Sequence, residues 1–202
     1  GIRALSASRG LGDVSKRQAF DAYGGLAGVL DYGPVGVRMR RRILEMWRKH
    51  YVINAGCLEL DGALIGPESM FQASGHLGEF DYALVDCKEC GKQFRADHLV
   101  DGGEEMSRPE LAKKIINISC PSCSSPLSEM SAFNLMFSTS VGAGKGSSGY
   151  LRPETAQGIF VNFLNVQETS RLKIPFGIAQ IGKAFRNEIV ARQFIFRMRE
   201  FE

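Results

Sequence analysis

Two short cysteine pairs, Cys87-Lys-Glu-Cys90 and Cys120-Pro-Ser-Cys123, constrain this 202-residue chain more than any other feature. Separated only by residues 91–119, they have the Cys-x2-Cys…Cys-x2-Cys layout of a tetrahedral four-thiolate site, which suits zinc. Reduced thiols without a metal are the plain alternative. Four thiolates leave no open coordination position, so the metal would be structural. Zinc binding of about 10–16 kcal/mol rivals the stability of a whole domain, so residues 84–131 are expected to fold only around it. Gly91 after the first pair and Pro121 inside the second favour knuckle-like turns, and residues 109–116 read as a short helix. Cys57, in an apolar strand-like run, reads as a small buried hydrophobe.

This stretch divides the chain into residues 1–83, 84–131 and 132–202. At 44% hydrophobic, the chain can bury a core. Its net charge of +3 leaves any nucleic-acid contact to local clusters. No apolar run approaches the roughly eighteen residues that span a membrane, so a soluble, cytoplasmic protein with no membrane partner is expected. Arg3 and Arg9 precede the first acid, Asp13, faintly like an organelle leader; an excerpted or frayed terminus explains them better.

Residues 181–202 read as two strands and a turn. With side chains alternating between faces, Gly182, Ala184, Arg186 and Glu188 share one side with Arg197, Arg199 and Phe201. Ile181, Phe185, Ile189, Phe196 and Met198 make the other side apolar. The polar side is a floor suited to a flat anion such as a nucleotide. Arg186 can fork onto phosphate oxygens, Glu188 can accept from an exocyclic amine, and Phe201 can stack on a base. Gly182 and Ala184 would leave room for close approach. A solvated outer sheet face is the alternative.

Upstream, Tyr23-Gly-Gly-Leu-Ala-Gly-Val-Leu-Asp-Tyr-Gly-Pro34 reads as a tightly turned loop. Pro34 opens a helix over residues 34–50 with Met39, Ile43, Met46, Trp47 and Tyr51 as its buried stripe. Its arginines read either as a solvated surface or as a face for RNA phosphates. A strand at residues 57–60 and Pro67 follow. His76, near Ser74 and Phe80, reads as a packed, hydrogen-bonded histidine. Residues 133–137 read as the return strand to the main sheet. The loop Val141–Gly149 lacks the phosphate-loop spacing and reads as a flexible hairpin loop. Pro153 reads as the start of a helix whose apolar side is Ile159, Phe160, Phe163 and Leu164.

Phe185-Arg-Asn-Glu188 with Arg197-x-x-x-Phe201 resembles motif 2 of the class II aminoacyl-tRNA synthetases. Tyr-Gly-Gly-x-x-Gly with Asp-Tyr-Gly-Pro, Ser74-Gly-His76, Phe94-Arg-Ala-Asp-His98 and Arg152-Pro-Glu-Thr-Ala-Gln-Gly158 are similar to the dimeric glycyl-tRNA synthetase family. The resemblance runs from about Tyr23 to the last residue. It implies an α+β class II core, an antiparallel sheet flanked by helices, interrupted by a zinc-ribbon-like insertion. It also implies glycine activation by ATP to glycyl-adenylate, with magnesium on the phosphates, then transfer to glycine tRNA. In that family Arg186 would hold the α-phosphate, Glu188 the adenine amine, Arg197 the γ-phosphate and Phe201 the adenine ring. Glu154 would hold the substrate ammonium, with Arg152 beside it. The helix-strand-proline order of residues 34–67 resembles motif 1 and implies a homodimer. With four cysteines as ligands, His98 is not needed.

Two departures stand out. Ala191 replaces a proline common in the motif 2 loop, and motif 3 is absent, so the chain is expected to be a piece with little or no aminoacylation of its own. A synthetase-like paralogue with a binding or regulatory role, and a zinc-ribbon nucleic-acid-binding module, are the alternatives.

Overall fold

The computed structural model describes residues 16–143, 146–191 and 195–202. The leader-like start, Gly144 and Lys145 of the glycine-rich loop, and Arg192–Phe194 of the hairpin turn lie outside them. The described elements begin with β1 (Lys16–Gln18), β2 (Leu30–Tyr32), α1 (Pro34–Arg48), β3 (Leu58–Glu59), β4 (Ile65–Pro67) and α2 (Glu68–Ala73). There follow β5 (Asp81–Asp86), β6 (Gln93–Arg95), α3 (Arg108–Ile115), β7 (Ser131–Asn134), β8 (Ser138–Val141) and β9 (Ser147–Leu151). The last are α4 (Ala156–Ser170), β10 (Ile178–Ala179), β11 (Ala184–Phe185) and β12 (Glu200–Phe201). The fold is mixed α and β, in small sheets that are antiparallel apart from the parallel pair β3–β10. The chain falls into two compact units, one reaching Met70 and resuming at Phe137, the other Phe71–Met136. No described helix is long and apolar enough to cross a membrane.

In the first unit, the segment around the expected loop of Tyr23–Pro34 also contains strands. β1 and β2 pair antiparallel, with Gln18 opposite Leu30. The connection is a 3-10 turn at Asp21–Tyr23, and Gly24, Gly25 and Gly28 all take positive φ. That region is nearly closed to other residues, so the glycines are needed here.

Pro34 occupies the first turn of α1, where its missing N–H costs nothing. The helix runs on as a π-helical segment, Lys49–Asn54. Most of its expected buried stripe is exposed instead, Met39 59%, Ile43 64% and Met46 72%, while Trp47 is half-buried. Helical periodicity shows that an apolar stripe exists, not that this chain covers it.

Val141 and Ser147–Gly149, expected within a loop, belong to paired strands: β8 pairs with β9, and β9 pairs with β4. The next helix starts later than the proline implied. Pro153 lies in a bend, and α4 begins at Ala156 behind Thr155. Phe163 stacks on Phe176 at 4.9 Å, but Phe160 and Leu164 are largely exposed.

The second unit is a three-stranded antiparallel sheet in the order β6-β5-β7, with α3 packed on it. Val85, Ala96, Leu111 and Ile115 form its core. α3 starts at a capping box, in which the Ser107 backbone N–H donates to Glu110 Oε2 at 3.1 Å. Residues 133–137 do not return to a main sheet. β7 ends at Asn134 and pairs with β5, Tyr82 facing Phe133, so the strand belongs to the sheet of this second unit.

Candidate functional site

The floor of the first unit forms where β11 and β12 pair, Ala184 opposite Phe201. The register continues outward, Arg186 N–H donating to the Arg199 carbonyl at 3.0 Å. Directly opposed residues share a face, so the alternation read from sequence is realised at Ala184, Arg186 and Phe201. The regular strands are only two residues long. The face opposite is apolar unevenly: Met198 is buried, but Phe196 is 74% exposed.

On this floor the Arg186 guanidinium lies over the Phe201 ring, 5.4 Å from its centroid. Its Nε donates to the Pro153 carbonyl at 3.2 Å, which brings the residue before Glu154 to the floor. Glu188 is buried, with one carboxylate oxygen 3.9 Å from Arg197 Nε. A tight turn, Glu188 N–H to the Arg186 carbonyl at 2.7 Å, sets its offset from Arg186. Glu154 is half-buried and accepts from Gln157 Nε2 at 2.7 Å. The floor thus gathers two guanidinium groups, the Glu188 carboxylate and an aromatic face, with Glu154 next in the chain to the carbonyl that Arg186 binds.

Two arginines do something periodicity could not indicate. Arg152 is buried at 5% exposure and binds backbone rather than an anion. Its Nε donates to Lys183 O at 2.8 Å and its Nη1 to Gly62 O at 2.8 Å. Gln180, its amide oxygen turned inward, accepts from the same Nη1 at 2.6 Å. Burial disfavours the charge and lowers the guanidinium pKa, against a weaker opposing pull from Asp61. Nor is the space over Gly182 open, as expected for a ligand. A Cβ there would lie 2.3 Å from Arg152 Nη2, so glycine is required by the arginine. Arg199 is spent in the same way: its three side-chain nitrogens donate to the carbonyls of Glu188, Ala27 and Ile189. The floor therefore offers Arg186 and Arg197, not three arginines, to an anion.

In the second unit, ligand atoms of Cys87, Cys90, Cys120 and Cys123 all lie within 4.8 Å of one another. The sulfurs of Cys87 and Cys123 are 3.3 Å apart, those of Cys90 and Cys120 3.8 Å. A tetrahedron with Zn–S of about 2.3 Å has edges near 3.8 Å, so the donor set fits. The two pairs are built alike. Cys87 N–H donates to Lys92 O and Cys120 N–H to Ser125 O; Gly91 N–H returns to Cys87 O and Ser124 N–H to Cys120 O. Gly91 and Ser124 both take positive φ, 65° and 60°. Backbone N–H groups of Cys90 and Ser122 point at the sulfurs of Cys87 and Cys120, at 3.5 and 3.4 Å. Ser125, through its backbone and then its hydroxyl, pulls the Cys123 thiol down to about 6. At Cys90 the Lys92 backbone favours the thiolate, but burial and the neighbouring thiols outweigh it and push the group up to about 11. His98 pairs with Glu104 at 3.3 Å, apart from the four sulfurs' ligand set. His76 is hydrogen-bonded through Nδ1 to the Ser74 hydroxyl at 2.9 Å, with Phe71 and Phe80 packed on its ring.

No protein-family model matches the chain. Known proteins do. A glycine–tRNA ligase of Methanococcus maripaludis is 45% identical over 201 residues, covering 94% of this chain and 35% of its own length. One from Methanothrix thermoacetophila is 48% identical over 189 residues, covering 91% of this chain and 33% of its own length. By sequence, the chain is similar to one part of the glycine–tRNA ligases. It spans about a third of the length of these ligases. The fold has a likeness outside the glycine–tRNA ligases too. A solved RNA-binding domain of threonyl-tRNA synthetase from Cryptosporidium parvum matches with a TM-score of 0.52 at 19% identity, over 87% of this chain and 30% of its own.

Proposed function

We propose that this chain carries the nucleotide floor and the start of the amino-acid site of a glycine–tRNA ligase. The observation that carries the reading is the placement of Arg186 over Phe201 beside the buried Glu188–Arg197 pair. Glycine is activated by attack of its own carboxylate on the α-phosphate of ATP, forming glycyl-adenylate and releasing pyrophosphate; the glycyl group then passes to a hydroxyl at the 3′ end of glycine tRNA, with AMP as the leaving group. The nucleophile is already ionised, so no protein base is needed, and catalysis is positioning plus charge stabilisation. Arg186 meets the α-phosphate and Arg197 the γ-phosphate. Phe201 stacks on adenine and Glu188 accepts from its amine, shedding the long contact to Arg197 as the phosphates claim that guanidinium. Magnesium, when bound, would supply further neutralisation of the phosphate charge. Glu154 holds the ammonium of glycine, and Arg152 serves this subsite by fixing the backbone around it.

Cys87, Cys90, Cys120 and Cys123 would hold a structural zinc ion in a ribbon-like insertion of a class II synthetase core. The fit of the four sulfurs and the matched knuckles support this. The exposed stripe of α1 is assigned to a second copy of the protein, which would make the enzyme a homodimer. Glycine-dependent exchange of pyrophosphate into ATP by the full-length protein tests the reading; activity without glycine, or none with it, goes against it.

A further inference from the structure

Arg199 is placed more elaborately than a floor residue needs. Its Nε donates to Glu188 O at 2.8 Å, its Nη1 to Ala27 O at 2.9 Å and its Nη2 to Ile189 O at 3.4 Å. Its backbone N–H donates to Gly28 O at 2.7 Å, and Glu200 N–H reaches the same oxygen at 3.3 Å. Among the described residues no carboxylate pairs with it. A planar guanidinium with donors along its edges can serve three carbonyls at once, which a lysine ammonium on its single tether cannot match. Gly28 completes the contact. It takes φ +78°, and a Cβ there would lie 3.0 Å from Arg199 Cγ and 3.0 Å from Ala191 Cβ. The glycine-rich turn is therefore pressed onto the hairpin at Gly28, where a side chain would crowd Ala191 and Arg199.

The clamp sits between the two groups assigned to adenine. It grips the main chain of Glu188 itself, and Arg199 stands two residues before Phe201 on the other strand. β11 and β12 pair over only two residues each, so the sheet alone gives little rigidity here. We propose that Arg199 is a positioning residue for the nucleotide: by clamping Ala27–Gly28 and the Glu188–Ile189 carbonyls together, it sets the spacing between the Glu188 carboxylate and the Phe201 ring. The inference rests on the nucleotide reading above. Arg199 touches no reacting atom; its effect passes through Glu188 and Phe201.

The test is steady-state ATP–pyrophosphate exchange by the full-length protein, with ATP and glycine varied separately, for Arg199→Ala, Arg199→Lys and Gly28→Ala. Arg199→Ala is expected to raise the KM for ATP about tenfold, a change of one decade in affinity, with the KM for glycine within about twofold. Arg199→Lys should recover only part of the loss. Gly28→Ala, which pries the same contact from its other side, should show the same ATP-selective signature, and the double variant should add little to either single one. An unchanged KM for ATP in Arg199→Ala overturns the inference, as do equal rises for ATP and glycine accompanied by a lower melting temperature, the mark of a merely structural arginine. If the wild type shows no glycine-dependent exchange, the functional reading falls. Equilibrium binding of ATP to wild type and Arg199→Lys then decides the inference separately: weaker binding to the variant sustains it and an unchanged Kd overturns it.

Discussion

Arg186 and Phe201 lie 5.4 Å apart on one face, yet the proposed reaction asks different things of them. Charge builds on the α-phosphate during attack, so Arg186→Ala should lower kcat about 10²–10³-fold with a smaller effect on ATP binding. Adenine is unchanged between ground and transition states, so Phe201→Ala should chiefly raise the KM for ATP, by an amount equal to about 1–3 kcal/mol of stacking. Exchange kinetics at varied ATP separate these; a hundredfold loss of kcat at unchanged KM for Phe201→Ala would contradict the assignment. Ser124 offers a test on the metal side. It holds at φ 60° the position that Gly91 fills in the twin knuckle, and a left-handed conformation costs an L residue about 1–2 kcal/mol. Ser124→Gly should therefore raise the denaturation midpoint of the zinc-loaded protein, net of glycine's entropy, by up to about 1 kcal/mol in stability; a lowered midpoint would contradict this. Alternation places Arg186 and Phe201 on one face because that depends only on strand geometry, whereas the offset of Glu188 is set by the tight turn to the Arg186 carbonyl. It could not tell that Arg152 and Arg199 are consumed by carbonyls, since those carbonyls belong to residues 62, 183, 27 and 188, brought close only by folding.

The cysteine knuckles were the most legible elements, because four like donors at short fixed spacing admit few arrangements. The structure adds the repeated hydrogen bonds and the positive φ after each pair. If zinc holds them, a strong chelator should abolish the cooperative unfolding of Phe71–Met136, and Cys87→Ser should do the same without chelator. Calorimetry and metal analysis on the same sample check this, and a chelated protein with an unchanged transition would show that the small core of Val85, Ala96, Leu111 and Ile115 suffices alone. Helices were less legible in detail. α2 gave no sequence signal, and α3, expected over 109–116, spans Arg108–Ile115 because the Ser107–Glu110 capping box sets its start. α4 was placed three residues early, since Pro153 favours a first helical turn without compelling one.

At the scale of the molecule, the apolar faces of α1 and α4 stand open in a chain that spans about a third of its ligase relatives. Sequence periodicity identifies that both stripes exist but not what covers them, which depends on parts distant in sequence. The full-length protein should sediment as a dimer at micromolar concentration, and Met39→Glu with Ile43→Glu should shift it toward monomer; a wild-type monomer would remove α1 from the interface. The account as a whole turns on amino-acid activation. The measurement that bears on it most directly is exchange of labelled pyrophosphate into ATP by the full-length protein, with and without glycine. The account requires exchange that depends on glycine, that alanine or serine does not replace, and that Arg186→Ala reduces about a hundredfold or more. Exchange indifferent to glycine, or undiminished in Arg186→Ala, would contradict it.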